Sequence, residues 1–425
     1  MIEPFLRICK KIIPKPLFTF FQPAYHFLLA LTSVLIYRFP SRNITVVAVT
    51  GTKGKSSVTE LVSGILEAQG KKTALLNTIR FKFGDTSTRN TYKMSVPGRF
   101  FVQWFIRKAV SCNCDYVVLE MTSEGAKQFR HFFIDYDALI FTNLTPEHIQ
   151  SHGSFEKYRD AKLSIARRLI ASRKKNPKLI VNADSPHAHH FLALPIKDKW
   201  TYSKNEVHDV SVSDGGIQFS KNETVYHSSL QGTFNLENIL ASIAWAESEN
   251  IPSEIIKAGI KNTSEIKGRL EKINAGQSFE VYVDYAHTKE SLEAVYKTFK
   301  EKRKICVLGA TGGGRDSAKR EEMGVIADTY CEHIILTDED PYDESPQVIM
   351  KDVASGVRKH TPELILDRKK AIERACSLAG KNDVVFITGK GTDPYIMRAN
   401  GTKEPWSDAE VAHTVLKNIL TVKRN

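Results

Sequence analysis

Residues 43–57 constrain the fold more than any other stretch. Asn43–Thr50 (NITVVAVT) is apolar and β-branched, the pattern of a strand buried on both faces of a parallel sheet. It runs directly into Gly51-Thr52-Lys53-Gly54-Lys55-Ser56-Ser57, and the helix-like stretch VTELVSGILEAQG follows. Strand, Gly-rich turn and helix in that order let backbone N–H groups converge on phosphate oxygens, and the helix N-terminus adds a favourable dipole. In such a loop Lys55 contacts the β- and γ-phosphates and the Ser56 hydroxyl ligates Mg²⁺. The general phosphate-loop spacing asks for glycine five residues before Gly54, where this chain has Val49, so the loop is a tighter variant. The competing reading is a surface Gly/Lys turn.

The same grammar continues along the chain. From residue 44 to about 262, strand-like runs (DYVVLEM, ALIFTNL, KLIVNA) alternate with helical stretches. From 263 to 425 the alternation returns on a smaller scale (FEVYVDYA, KICVLGA, HIILTD, DVVFITG). The pattern predicts an α/β protein with a mostly parallel sheet in a central domain, then a smaller Rossmann-like α/β domain. Hydrophobic residues at 42% and charged residues at 25% exclude disordered and fibrous classes. The net charge of +12 is spread along the chain and suits anionic small substrates or a membrane surface. No nucleic-acid-binding signature accompanies it, so no nucleic-acid partner is expected. The six cysteines lack paired CxxC spacing, which argues against a disulfide framework or zinc ribbon and for a reducing cytoplasm.

Residues 1–43 stand apart. They carry six basic residues (Arg7, Lys10, Lys11, Lys15, Arg38, Arg42) and one acid, Glu3, around the uncharged run Leu17–Tyr37. Gln22, Pro23 and His26 interrupt that run and leave too little clean apolar sequence to span a bilayer. Two readings follow: an amphipathic helix pair packed on the protein or on a second subunit, or a basic-flanked interfacial membrane anchor.

Thr50–Ser57, TGTKGKSS, resembles the TGTxGK(S/T)(S/T) loop of the Mur ligases, the ATP-dependent amide-forming enzymes of peptidoglycan precursor synthesis. Further motifs recur in the same order over residues 44–425, most like the UDP-MurNAc-tripeptide synthetases (MurE type). Leu119–Gly125 (LEMTSEG) resembles E-x-S-S-x-G, Phe141–His148 (FTNLTPEH) TNLTxDH, and His152-Gly153 with Tyr158, Ala161 and Lys162 HG…Y…AK. Asn182–Asp184, Phe234–Asn238 (FNLEN), Gly268–Glu271 (GRLE), Asp284–Thr288 (DYAHT), Gly309–Asp316 with Lys319-Arg320, Asp367-Arg368 and Gly389–Gly391 complete the set.

This resemblance implies an ADP-forming acid–amino-acid ligase that activates a carboxylate as an acyl phosphate. It implies ATP held by Gly51, Thr52, Lys53, Gly54, Lys55, Ser56 and Ser57, with Asn235 and Asn238 at the adenine, Asp284 at the ribose and Arg269 at the γ-phosphate. Two Mg²⁺ ions would be held by Ser56, Glu120, His148 and a carbamylated Lys162; Lys55, Glu120, His148, Lys162 and Arg269 form the implied catalytic set. Ser95, Thr122, Ser123, Asp340, Tyr342, Gly389 and Asp393 would face the substrates, a muropeptide or UDP-sugar peptide and a free amino acid. The implied location is the cytoplasm, at the inner face of the cell membrane if residues 1–43 touch lipid.

The sequence departs from that pattern in two places. Only about 43 residues precede the loop strand, too few for the UDP-gripping domain that MurE-type enzymes carry, which leaves a lipid-linked acceptor as an alternative. The DNPR motif, whose arginine clamps the distal carboxylate of diaminopimelate, reads Glu339-Asp340-Pro341-Tyr342, followed by Asp343-Glu344. The lost arginine and added acids favour a lysine-like distal amine over diaminopimelate. The remaining alternatives are a poly-γ-glutamate or folate-type ligase, a lipid-modifying relative and a non-catalytic nucleotide-binding scaffold.

Overall fold

A computed structural model describes residues 15–147, 149–213, 215–314 and 317–422, without the side chains of 15–19, 149–150 and 422. His148, Arg315, Asp316 and residues 1–14 therefore lie outside the described residues. The chain forms two compact units. One comprises the chain up to Lys55 with Gly70–Thr88 and Met94–Tyr202; the other comprises Ser56–Gln69, Arg89–Lys93 and Ser203–Asn425.

The first unit is built on an eight-stranded sheet of β1 (Thr45–Thr50), β2 (Thr73–Leu76), β3 (Arg80–Phe83), β4 (Thr86–Arg89), β5 (Tyr116–Met121), β6 (Ala138–Phe141), β7 (Lys178–Asn182) and β8 (Asp198–Tyr202). Its order is β4-β3-β2-β5-β1-β6-β7-β8, parallel from β2 through β8. β1 is buried along nearly its whole length because it lies in the middle of the sheet, as its unbroken apolar pattern requires. Register decides where the chemistry falls. Thr50 pairs with Met121 on one side and Phe141 on the other, so three strands end level and their following loops emerge at one edge. That edge is where open parallel sheets place ligands.

The helices named below are α1 (Lys15–Ile36), α2 (Lys55–Ala68), α3 (Arg99–Ser111), α4 (Ser123–Lys127), α5 (Phe155–Ile170), α6 (Thr233–Ser248), α7 (Lys289–Tyr296) and α8 (Arg368–Leu378). The described part of the N-terminal segment is α1, and the expected helix pair falls partly on residues 1–14, outside the described residues. One 22-residue helix continues through Pro23, which removes a single backbone donor without ending the helix.

The second unit carries a three-stranded antiparallel meander, β9 (His208–Ser213), β10 (Gly216–Lys221) and β11 (Thr224–Ser228), and a six-stranded sheet. That sheet contains β12 (Glu271–Lys272), β13 (Glu280–Asp284), β14 (Lys304–Leu308), β15 (His333–Leu336), β16 (Glu363–Leu364) and β17 (Val384–Thr388), ordered β12-β13-β17-β14-β15-β16. All its pairings are parallel except β12 with β13. Alternation along β13 sends Val281 and Val283 into one core layer and Tyr282 into the other, so both faces are covered. Asp284 pairs with Thr388 at the carboxyl edge, from which the loops at Tyr285 and Gly389 leave. A buried Arg368–Asp408 ion pair of 2.7 Å anchors α8; Arg368 also donates to the Asp338 and Thr388 carbonyls, which satisfies its guanidinium. The expected α/β class, with a large mostly parallel sheet and a second smaller α/β sheet, is what the chain adopts.

Candidate active site

The phosphate loop is knitted to the loop after β6. Thr52 N donates to the Asn143 carbonyl at 2.9 Å and Lys53 N to Asn143 Oδ1 at 2.8 Å. Thr142 Oγ1 donates to the Lys53 carbonyl at 2.7 Å, and Thr145 N donates to Thr52 Oγ1 at 3.0 Å. Gly51 sits at φ +153°, where a Cβ would lie 1.9 Å from Thr142 Oγ1, so no other residue fits. Gly54, at φ +82°, turns the chain into α2, which starts at Lys55 and holds Ser56 and Ser57 buried. The Lys55 ammonium folds back onto the Thr52 carbonyl at 2.8 Å and so lies over its own loop.

Glu120, at the penultimate position of β5, is buried and held by both oxygens. Oε1 accepts from Ser95 Oγ at 2.9 Å and Thr78 Oγ1 at 3.0 Å, and Oε2 accepts from Thr78 N at 3.0 Å. Thr78 and Ser95 touch one another at 2.6 Å. Ser95, expected at the substrate, thus stands beside Glu120. Thr78 escaped the sequence reading because nothing in LLNTIR sets one threonine apart from its neighbours.

Lys162, on α5, is fully buried, and its Nζ donates to the Gly51 carbonyl at 2.6 Å and lies 4.7 Å from the Tyr158 ring centre. Among the described residues no carboxylate lies within ion-pair distance of it. Burial first, then the Lys55 charge, hold its pKa well below the ordinary lysine range against the weaker pull of Glu147 and Glu120. Tyr158 hydrogen-bonds Thr52 Oγ1 at 2.9 Å, so α5 and the phosphate loop are one hydrogen-bonded body. Lys162, Lys55 and Glu120 are brought together in this unit; among the described residues no group of three His, Cys, Asp or Glu side chains forms a metal cage.

The remaining expected residues lie in the second unit, apart from Thr122 and Ser123. Thr122 Oγ1 caps α4 by accepting from Gly125 N at 3.1 Å, and Ser123 is buried behind it. Asn235 Nδ2 donates to the Gln231 carbonyl at 2.7 Å, and Asn238 Nδ2 to Asn235 Oδ1 at 2.9 Å, at the buried start of α6. Asp284 accepts from Leu270 N at 2.7 Å and Ala286 N at 2.6 Å, tying the GRLE and DYAHT turns together. Burial raises its pKa against the lowering by Arg269, whose guanidinium lies 4.5 Å from the Tyr285 ring centre.

Asp340 and Asp393 converge on a residue that the sequence reading missed. The Lys93 ammonium bonds Asp340 Oδ2 and lies 2.9 Å from Asp393 Oδ2, while Lys390 holds Asp340 Oδ1 at 2.7 Å and lies 3.5 Å from Asp393. Burial opposes the Lys93 charge, but Asp393 and Asp340 outweigh it and raise its pKa. The neighbouring acids are otherwise engaged. Glu344 makes a bidentate pair with Arg320, and Asp343 Oδ1 accepts from Asn400 N at 2.7 Å, so neither joins this cluster. Tyr342 adopts φ +53° with its N–H on the Met397 carbonyl. Gly389 allows close approach, since a Cβ there would lie 2.1 Å from Glu339 Oε2.

Residues 49–246 match the Mur ligase middle domain, and residues 268–391 match the Mur ligase glutamate ligase domain. The UDP-N-acetylmuramoyl-L-alanyl-D-glutamate–2,6-diaminopimelate ligase of Syntrophomonas wolfei subsp. wolfei is 35% identical over 404 residues, covering 92% of this chain and 81% of its own. The UDP-N-acetylmuramyl-tripeptide synthetase of Roseiflexus sp. is 35% identical over 420 residues, covering 92% and 82%. A solved structure of a UDP-N-acetylmuramoyl-L-alanyl-D-glutamate–2,6-diaminopimelate ligase superposes with a TM-score of 0.60 at 26% identity, over 89% of this chain and 79% of that one. The chain therefore belongs to the Mur ligase family, the ATP-dependent, ADP-forming ligases that join an acid to an amine, and it is similar over most of its length to MurE-type tripeptide synthetases.

Proposed function

We propose that this ligase adds a free amino acid to a muropeptide such as UDP-MurNAc-L-Ala-D-Glu, in peptidoglycan precursor synthesis. The observation that carries the reading is Lys162, an uncompensated buried amine bonded to the phosphate loop in a chain whose relatives bear the names above. ATP with Mg²⁺ supplies a phosphoryl group to the substrate carboxylate, giving an acyl phosphate and ADP, and the incoming amine then displaces phosphate. The chain's part is to hold and orient. Loop N–H groups from Gly51 to Ser57 and the Lys55 ammonium face the phosphates, Arg269 neutralises charge on the transferred group, and Asn235, Asn238 and Asp284 form the nucleoside side.

Ser56 and Glu120 offer the oxygen ligands that Mg²⁺ takes, His148 is proposed to add a nitrogen, and the three hydrogen bonds on Glu120 fix that carboxylate beforehand. An uncharged Lys162 amine reacts with CO₂ to give a carbamate, which would add a further oxygen ligand. The functional division proposed is 44–262 for the phosphate loop and the central chemistry and 263–425 for Arg269, Asp284 and the amino-acid residues.

A lysine-like amino acid is favoured over diaminopimelate. Tyr342 stands where an arginine would clamp a distal carboxylate, and Asp340 with Asp393 already accommodates a primary ammonium, that of Lys93. The test is mass spectrometry of a reaction containing ATP, Mg²⁺, UDP-MurNAc-L-Ala-D-Glu and equal lysine, ornithine and diaminopimelate. A mass gain of one lysine or ornithine on the UDP substrate is the expected result. Gain of diaminopimelate overturns the pocket assignment. No gain from folded, ATP-binding protein moves the acceptor to a lipid-linked or poly-γ-glutamate/folate type.

Thr78 should matter through Glu120. Thr78→Val keeps the backbone donor but removes the hydroxyl from both Glu120 and Ser95. Turnover is expected to fall about ten-fold, with a higher Mg²⁺ concentration at half-maximal rate. An unchanged Mg²⁺ titration would detach Glu120 from the metal.

A further inference from the structure

We propose that α1 lies on an anionic lipid surface. Between Lys15 and Arg38 the chain carries no Asp, Glu, Lys or Arg, and α1 leaves about half of its circumference to solvent. At 100° per residue, positions 20, 21, 25, 28, 35 and 36 fall within about 160° of arc. They are Phe20 (77% exposed), Phe21 (56%), Tyr25 (47%), Leu28 (59%), Leu35 (57%) and Ile36 (60%). The other side is the anchored one: Ala30 and Val34 are buried, and at the border between the two faces the half-exposed Phe27 meets Phe129, Phe132 and Phe133. α3, whose Arg107 donates to the Tyr37 carbonyl at 2.7 Å, extends the apolar surface with exposed Phe100 and Trp104, and Lys108 lies 5.3 Å from the Trp104 ring centre.

Among the described residues no helix is long and apolar enough to cross a membrane, so the geometry is that of a helix lying in the interface. Charge selects the occupant. Arg7, Lys10, Lys11 and Lys15 precede the apolar face and Arg38 follows it, while Arg42 pairs with Asp135 at 3.4 Å; Glu3 is the one acid among residues 1–43. In a second copy of the chain packed on this face, antiparallel helices would set Lys15 against Arg38, and parallel ones would set like residues against themselves. Either arrangement opposes cation to cation, whereas anionic headgroups complement both ends.

The test is sedimentation of the full chain with phosphatidylglycerol/phosphatidylcholine vesicles, with pure phosphatidylcholine vesicles and without lipid, alongside a Phe20→Ser/Phe21→Ser/Leu28→Ser variant. Wild type should pellet with anionic vesicles, and binding should fall about ten-fold in the variant and on neutral vesicles. Failure to pellet, equal binding by the variant, or a lipid-free dimer that the variant dissociates would overturn the proposal. The last result would assign the face to self-association. Amide-bond formation is read separately, in the mass-spectrometric assay, so loss of this inference leaves the ligase reading intact.

Discussion

Lys162→Ala is expected to lower turnover by a factor on the order of 10²–10³ while leaving the fold intact, because the carbamate oxygen proposed to hold Mg²⁺ at the transferring phosphoryl group would be lost. A charged ammonium enclosed without a carboxylate is among the most costly arrangements available to a protein, so the neutral amine is the form this site favours. Removing it leaves no charge unpaired, but it opens a cavity and frees the Gly51 carbonyl, so a thermal melt should drop by a few degrees and stay cooperative. Activity should return in part with Lys162→Glu or with a short carboxylate added to the alanine variant. Isotopic ¹³CO₂ should give a carbamate resonance in wild type that Lys162→Ala lacks. Full turnover in the alanine variant would remove Lys162 from the site. A missing resonance together with a slow variant would restrict Lys162 to holding the Gly51 carbonyl.

The contrast between Lys55 and Lys162 shows what the sequence made legible. Lys55 follows a buried strand and a turn with two glycines, and contiguous residues suffice to single it out as a phosphate-loop lysine. Lys162 is a lysine on an amphipathic helix, and only its resemblance to a motif singles it out. Its bond to Gly51 spans 111 positions, and no local pattern encodes it. The sheet was readable because β1, β5 and β6 are buried on both faces, which writes unbroken apolar runs into the sequence. The order of those strands, which brings the loops after Thr50, Met121 and Phe141 level, is a matter of register that composition does not carry. Asp284 shows the converse: its motif is conspicuous, yet both its oxygens are engaged by backbone N–H groups of turns 14 residues apart in the chain and beside it. A carboxylate that builds the turn and one that receives a ligand look the same in sequence.

Lys93 is the residue for which structure most changes the argument. The acids at 340 and 393 read as an invitation to a cationic side chain, but folding brings Lys93 and Lys390 to them, and the four charges balance. On the proposed lysine assignment, the incoming distal ammonium displaces the Lys93 ammonium, which is tethered and competes at high local concentration. Lys93→Met keeps the side chain's length and removes its charge, leaving Asp393 with Lys390 at 3.5 Å as its nearest cation in this cluster. The expected result is a rise of about a hundred-fold in the lysine-to-diaminopimelate ratio of kcat/KM, equivalent to about 3 kcal/mol, with most of it in the KM for lysine. Asp393→Asn should move the ratio the other way, since one carboxylate that receives the ammonium is gone. Competition assays of the three proteins with both amino acids measure it directly. If Lys93→Met instead lost lysine turnover with kcat falling and KM unchanged, Lys93 would be a strut that positions the acids. The distal group would then be recognised elsewhere.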